Sequence, residues 1–98
     1  MLMRENRFQR QLIKEIETRW PDAIVLKNDS GYIQGFPDLT ILKDDKWACL
    51  ETKRSSSAHK QPNQDIYIPK LDSMSFGRFI SPENKDEVLN DLQKTFGT

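Results

Sequence analysis

The sequence predicts one mixed α/β domain in the order α-β-β-β-α-β-α, a mixed four-stranded sheet flanked by helices. Three observations carry this reading. Near the start, Phe8, Leu12, Ile13, Ile16 and Trp20 recur at helical spacing. In the middle, the strand-like segments 38–42 and 47–51 flank a short polar turn. Further on, two proline-led segments with helical patterns enclose Gly77-Arg78-Phe79-Ile80.

Taken in order, residues 4–19 form the first helix, with charge opposite its apolar stripe, and Pro21-Asp22 ends it. Ala23-Ile24-Val25-Leu26 is an apolar run of strand length. Asn28-Asp29-Ser30-Gly31 is a turn cluster, and the chain through Gly35 reads as a loop with glycines at either end. Asp38-Leu39-Thr40-Ile41-Leu42 alternates, whereas Trp47-Ala48-Cys49-Leu50 stays apolar until Glu51. Between them, Lys43-Asp44-Asp45-Lys46 reads as a tight hairpin turn without the favoured Asn-Gly or Asp-Gly. Ser55 to Lys60 is a polar, mobile loop. A helix follows over 62–74, with Pro62 in its first turn and Ile66, Ile68 and Leu71 apolar. Pro69 inside it predicts a kink or an early stop. After the fourth strand, Ser81-Pro82-Glu83 supplies an N-cap, a first-turn proline and an acid. These open a last helix carrying Val88, Leu89, Leu92 and Phe96.

Composition narrows the function classes. At 98 residues the chain holds one domain with a modest core, which dimerisation would help to stabilise. No apolar run approaches the roughly 20 residues needed to cross a bilayer. The opening Met1-Leu2-Met3-Arg4-Glu5-Asn6 lacks the apolar stretch of a signal peptide, so a cytoplasmic location is expected, in a bacterial or phage-infected cell. The single Cys49 fits that reducing compartment and reads as a small buried hydrophobe. Fifteen basic residues balance fifteen acidic ones, which is not the charge of a protein that coats DNA. Residues 1–60 nevertheless carry eleven Lys/Arg against nine acids, so any phosphate-binding face is expected there.

Chemistry concentrates in Gly35-Phe36-Pro37-Asp38 and Glu51-Thr52-Lys53. With Asp44 and Asp45 at the centre of the hairpin, Lys43 faces Lys46 and Asp38 lies opposite Glu51 on one sheet face. Strand alternation puts Lys53 on that face, while Leu39, Ile41, Ala48 and Leu50 point to the other. Two opposed carboxylates repel unless something neutralises them. A divalent cation does so, and hard oxygen ligands suit Mg²⁺, with Mn²⁺ as a substitute. A lysine beside such an ion suits phosphodiester hydrolysis, contacting the attacking water or the charge developing on phosphorus. The plain alternative is a turn aspartate and a solvated Glu-x-Lys pair on an edge strand.

These residues and their structural order resemble the PD-(D/E)XK nuclease superfamily, with its restriction-endonuclease-like core. Gly35-Phe36-Pro37-Asp38-Leu39, the early Glu5-Asn6-Arg7-Phe8-Gln9 and Pro62-Asn63-Gln64-Asp65 are most similar to its VRR-NUC and phage Holliday-junction-resolvase branch. The resemblance implies a Mg²⁺-dependent endodeoxyribonuclease leaving 5′-phosphate ends. Asp38 and Glu51 would be metal ligands, Lys53 the catalytic lysine, Glu5 the helix acid completing the metal site, and Gln64 a supporting or DNA-contacting residue. On pattern alone, Glu5 equally suits the helix dipole, whereas Gln64 better suits a helix surface and only the resemblance draws it into the site. Branched DNA cut by a symmetric homodimer is the expected substrate arrangement, since a two-fold junction needs two active sites. The rivals are a nicking or restriction-like nuclease on duplex or flap DNA, and a catalytically silent nuclease-fold module that binds DNA or protein.

Arg54, His59 and Lys60 flank the serine loop beside Lys53, which suits contacts to DNA. Arg7 belongs to a run with Arg4, Arg10 and Lys14 that either tracks phosphates or forms a solvated helix face. His59 has no Cys or second His partner in the sequence pattern, so zinc is not expected.

Overall fold

The computed structural model describes residues 2–29 and 31–97, with side chains from residue 7 onward. Its elements are α1 (Leu2–Arg19), β1 (Ile24–Lys27), β2 (Leu39–Lys43), β3 (Lys46–Thr52), α2 (Gln64–Met74), β4 (Gly77–Ile80) and α3 (Lys85–Phe96). This is the expected α/β order. The sheet runs β1-β2-β3-β4, antiparallel for the first three strands and parallel between β3 and β4. A parallel pair requires a crossover, and α2 supplies it.

One face of the sheet carries the core. Leu39 and Ile41 of β2, Ala48 and Leu50 of β3 and Ile80 of β4 pack against two amphipathic helices. Phe8, Leu12, Ile16 and the following Trp20 come from α1, and Val88, Leu89, Leu92 and Phe96 from α3. Trp20 and Phe96 close this layer edge to face at 5.3 Å. On the opposite face lies α2, whose buried residues are Gln64, Ile68 and Leu71. Gly77 allows that approach, because a Cβ there would stand 2.7 Å from the Ile68 carbonyl oxygen.

The hairpin closes in the expected register, with Lys43 opposite Lys46 and Leu39 opposite Leu50. In place of Asn-Gly, Asp44 adopts a positive φ of 57°, which the primed hairpin turns demand. Lys43 emerges on the core face and is buried there, paired with Asp22 at 3.3 Å and Asp44 at 3.0 Å.

Three helix features differ from the expectation. α2 starts at Gln64, because Asn63 takes a left-handed backbone (φ 72°) and leaves Pro62 in the preceding turn. Pro69 lies inside α2 without ending it; its exposed position lets water reach the carbonyl its missing N–H leaves unpaired. Ser81 does not cap α3. The Asn84 side chain instead accepts from the Ser81 amide (2.8 Å) and the Asn84 amide bonds back to the Ser81 carbonyl (3.2 Å), so a closed turn precedes the helix. Asn84 is the N-cap.

Candidate functional site

Asp38 directly precedes β2, and Glu51, Thr52 and Lys53 lie at the end of β3, so the hairpin register brings both segments to one end of the sheet. Each acid reaches across to the other's strand. The Asp38 amide donates to Glu51 Oε1 at 3.1 Å, and the Thr52 amide donates to Asp38 Oδ1 at 3.1 Å. The Thr52 hydroxyl also donates to Asp38 Oδ2. From α1, Gln9 Nε2 donates to the same oxygen at 3.1 Å.

Burial sets the electrostatics. Glu51 is 6% exposed and Lys53 7%, far below what solvated edge residues show. Loss of water pushes the Glu51 carboxyl up to about 7, and the nearby Asp38 charge adds to the rise. Lys53, the Gln64 side chain and the Asp38 amide pull it back without cancelling it. Lys53 Nζ stands 3.8 Å from Glu51 Oε2 and donates to the His59 carbonyl at 3.1 Å. That second bond ties the serine loop to the centre. The loop is further pinned where Ser56 Nα–H donates to Glu83 (3.2 Å) and its hydroxyl meets that of Ser81 (3.2 Å).

Gln64 departs from a surface position: it is buried, hydrogen-bonds Glu51 and accepts from the Gln61 amide at 2.9 Å. The left-handed Asn63 is the N-cap, so Gln64 is the first residue of α2, and its side chain is buried there. Gly35 fits the same junction. Its φ is 88°, and a Cβ would come within 2.5 Å of the Pro62 carbonyl oxygen. Phe36 then packs edge to face on Tyr67 of α2 at 5.8 Å.

Among the residues expected to contact DNA, Arg7, Arg54, His59 and Lys60 are all exposed. Lys60 sits 4.5 Å above the Phe79 ring and 3.5 Å from Asp65. The Glu5 side chain lies outside the described residues. Two participants escaped the sequence reading. Gln9 falls between apolar stripe positions as an ordinary polar residue, and Thr52 stood in the motif as a spacer; both hold Asp38.

Among the described residues, no three of His, Cys, Asp and Glu converge as a metal cluster. The pair nonetheless fits Mg²⁺, which is commonly held by one or two carboxylates and keeps several waters. The donor set is hard oxygen, and the buried Glu51 beside the half-buried Asp38 creates a like-charge repulsion that a cation relieves. Cys49 takes no part: it is buried, its thiol pushed up by loss of water, 3.6 Å from the Thr40 hydroxyl.

Comparison with protein-family models, with curated proteins and with solved structures returns no match.

Proposed function

We propose that the chain is a metal-dependent DNA endonuclease of the PD-(D/E)XK kind, hydrolysing phosphodiester bonds. The observation that carries this reading is the buried Glu51 set against the half-buried Asp38, with Glu51 raised to about 7 and Lys53 3.8 Å away. Proteins do not bury such a group of charges for stability, since well-packed apolar side chains do as well or better. Perturbed carboxylates beside a buried lysine mark functional sites instead.

In this mechanism Asp38 and Glu51 would hold Mg²⁺ or Mn²⁺, which when bound would supply Lewis-acid polarisation of a phosphoryl oxygen and activation of water. Thr52 and Gln9 fix the Asp38 carboxylate, so that its geometry is set before substrate arrives. Gln64 does the same for Glu51. Lys53, held by the His59 carbonyl, places positive charge where negative charge develops on phosphorus. Branched DNA cut by a symmetric homodimer remains the favoured substrate form, with duplex or flap DNA as the rival.

One observation favours a catalytically silent module: Asp38 already clamps β2 to β3 and α1 through Thr52 and Gln9, a role that needs no metal. A cleavage panel separates the two. A four-way junction, a flap and a linear duplex are each incubated with the protein in Mg²⁺ and in EDTA. Metal-dependent cutting that Lys53→Ala abolishes, with fold and DNA binding retained, is the expected result. No metal-dependent cutting of any of the three overturns the enzyme reading.

A further inference from the structure

A groove of about 360 Å³ opens between α1 and the start of α3. Its walls include Arg7, Arg54 and Lys85, and Phe8, Leu12 and Pro82 supply apolar surface. Two chain connections link its lining to the centre. Arg54 directly follows Lys53, and the α1 residues of the groove flank Gln9, which holds Asp38. In a chain of zero net charge, three cations facing one groove are a local concentration that the bulk balance conceals. Among the described residues the one acid in the lining is Glu15, and it holds Lys85 at 2.7 Å and Arg19 at 3.9 Å.

We infer that this groove binds the sugar-phosphate backbone of the DNA entering the Asp38–Glu51 centre, with Lys85 leaving Glu15 for a phosphate. The inference rests on the nuclease reading and adds a substrate path and a competing side chain to it. The chemistry matches. Arginine and lysine walls meet phosphates, and the apolar floor suits deoxyribose. Arg7 is exposed and has no ion-pair partner among the described residues, so it meets a phosphate without first giving up a bond. Lys85 differs, because the carboxylate of Glu15 occupies it and must be displaced. Glu15 therefore weakens binding in proportion to how well it competes with phosphate, and its removal strengthens it.

The test measures binding of fluorescein-labelled single-stranded, duplex and flap DNA in EDTA across a salt series. Thermal melts check that each variant is folded. Arg7→Ala and Lys85→Ala are each expected to weaken binding about fivefold at low salt. Each should also reduce the slope of log K against log salt by about 0.7 on single strands or about 0.9 on duplex. Glu15→Gln is expected to tighten binding about threefold at low salt, the effect fading as salt rises. The arm with the largest change identifies whether a single strand or a duplex lies in the groove. Unchanged affinity and slope in both cation variants, while the wild type still cuts DNA, overturns the groove and leaves the nuclease reading standing. Absence of metal-dependent cutting with the salt effects present does the reverse. A wild-type protein that binds none of the three DNAs overturns the groove outright.

Discussion

Glu51 carries the largest consequence of any single residue. Its carboxyl ionises near 4.5 in an unfolded chain but is held at about 7 in the folded one. Between those values the folded state binds more protons, so stability falls as pH rises through this window. The full cost reaches about 3 kcal/mol by pH 8. Urea unfolding in EDTA should therefore show lower stability at pH 8 than at pH 5, and Glu51→Gln should remove most of that difference. Mg²⁺ should restore stability to the wild type at pH 8 and do little for Glu51→Gln; equal responses would mean that Glu51 is not a ligand. The opposition of Asp38 and Glu51 was legible in advance because strand pairing has a period of two residues, so one correct turn determines every pair. Gln9 was not legible. Its contact with Asp38 depends on the angle at which α1 lies across the sheet end, which no local pattern encodes.

At the scale of elements, the junction between the Gly35 loop and α2 decides how closely the site is built. A methyl group at Gly35 meets the Pro62 carbonyl oxygen at 2.5 Å, and φ of 88° already disfavours any side chain. Gly35→Ala is expected to cost about 2–3 kcal/mol in urea unfolding, more than an exposed loop glycine would. It should also slow cleavage, since the same shift displaces Gln64 from Glu51. α2 offers the opposite case. Pro69 is exposed inside the helix, and Pro69→Ala should raise the midpoint of unfolding by a change of about 1–3 kcal/mol, as the backbone bond to Asp65 is regained. A destabilised variant would show that the proline packs a bend the helix needs. Element types were readable from apolar periodicity, as in Phe8, Leu12 and Ile16. Helix starts were misread at Pro62 and Ser81, where proline and serine signals suit a helix or the turn before it equally well. Asn63 and Asn84 settle those starts through their tertiary partners and backbone conformation.

For the whole molecule, the core layer of α1, sheet and α3 leaves the other sheet face to α2, and the site lies where these layers meet. The described residues of one chain hold one such site, so resolving a symmetric junction calls for two chains. Mixing wild type with an excess of Lys53→Ala should then turn paired junction cuts into single nicks; paired cuts persisting in the mixture would point to independent monomers. By itself the sequence determined the element order, the two-faced hairpin and the convergence of Asp38, Glu51 and Lys53, because periodicity and pairing parity are local properties of the chain. Only the tertiary structure decided that Glu51 would lie buried with a raised pKa, that Gln9, Thr52 and Gln64 would hold the acids, and that Lys85 would join Arg7 and Arg54 in one groove. Those depend on how far water is excluded and on which distant surfaces meet, and both are set by packing helices onto a sheet rather than by any stretch of chain alone.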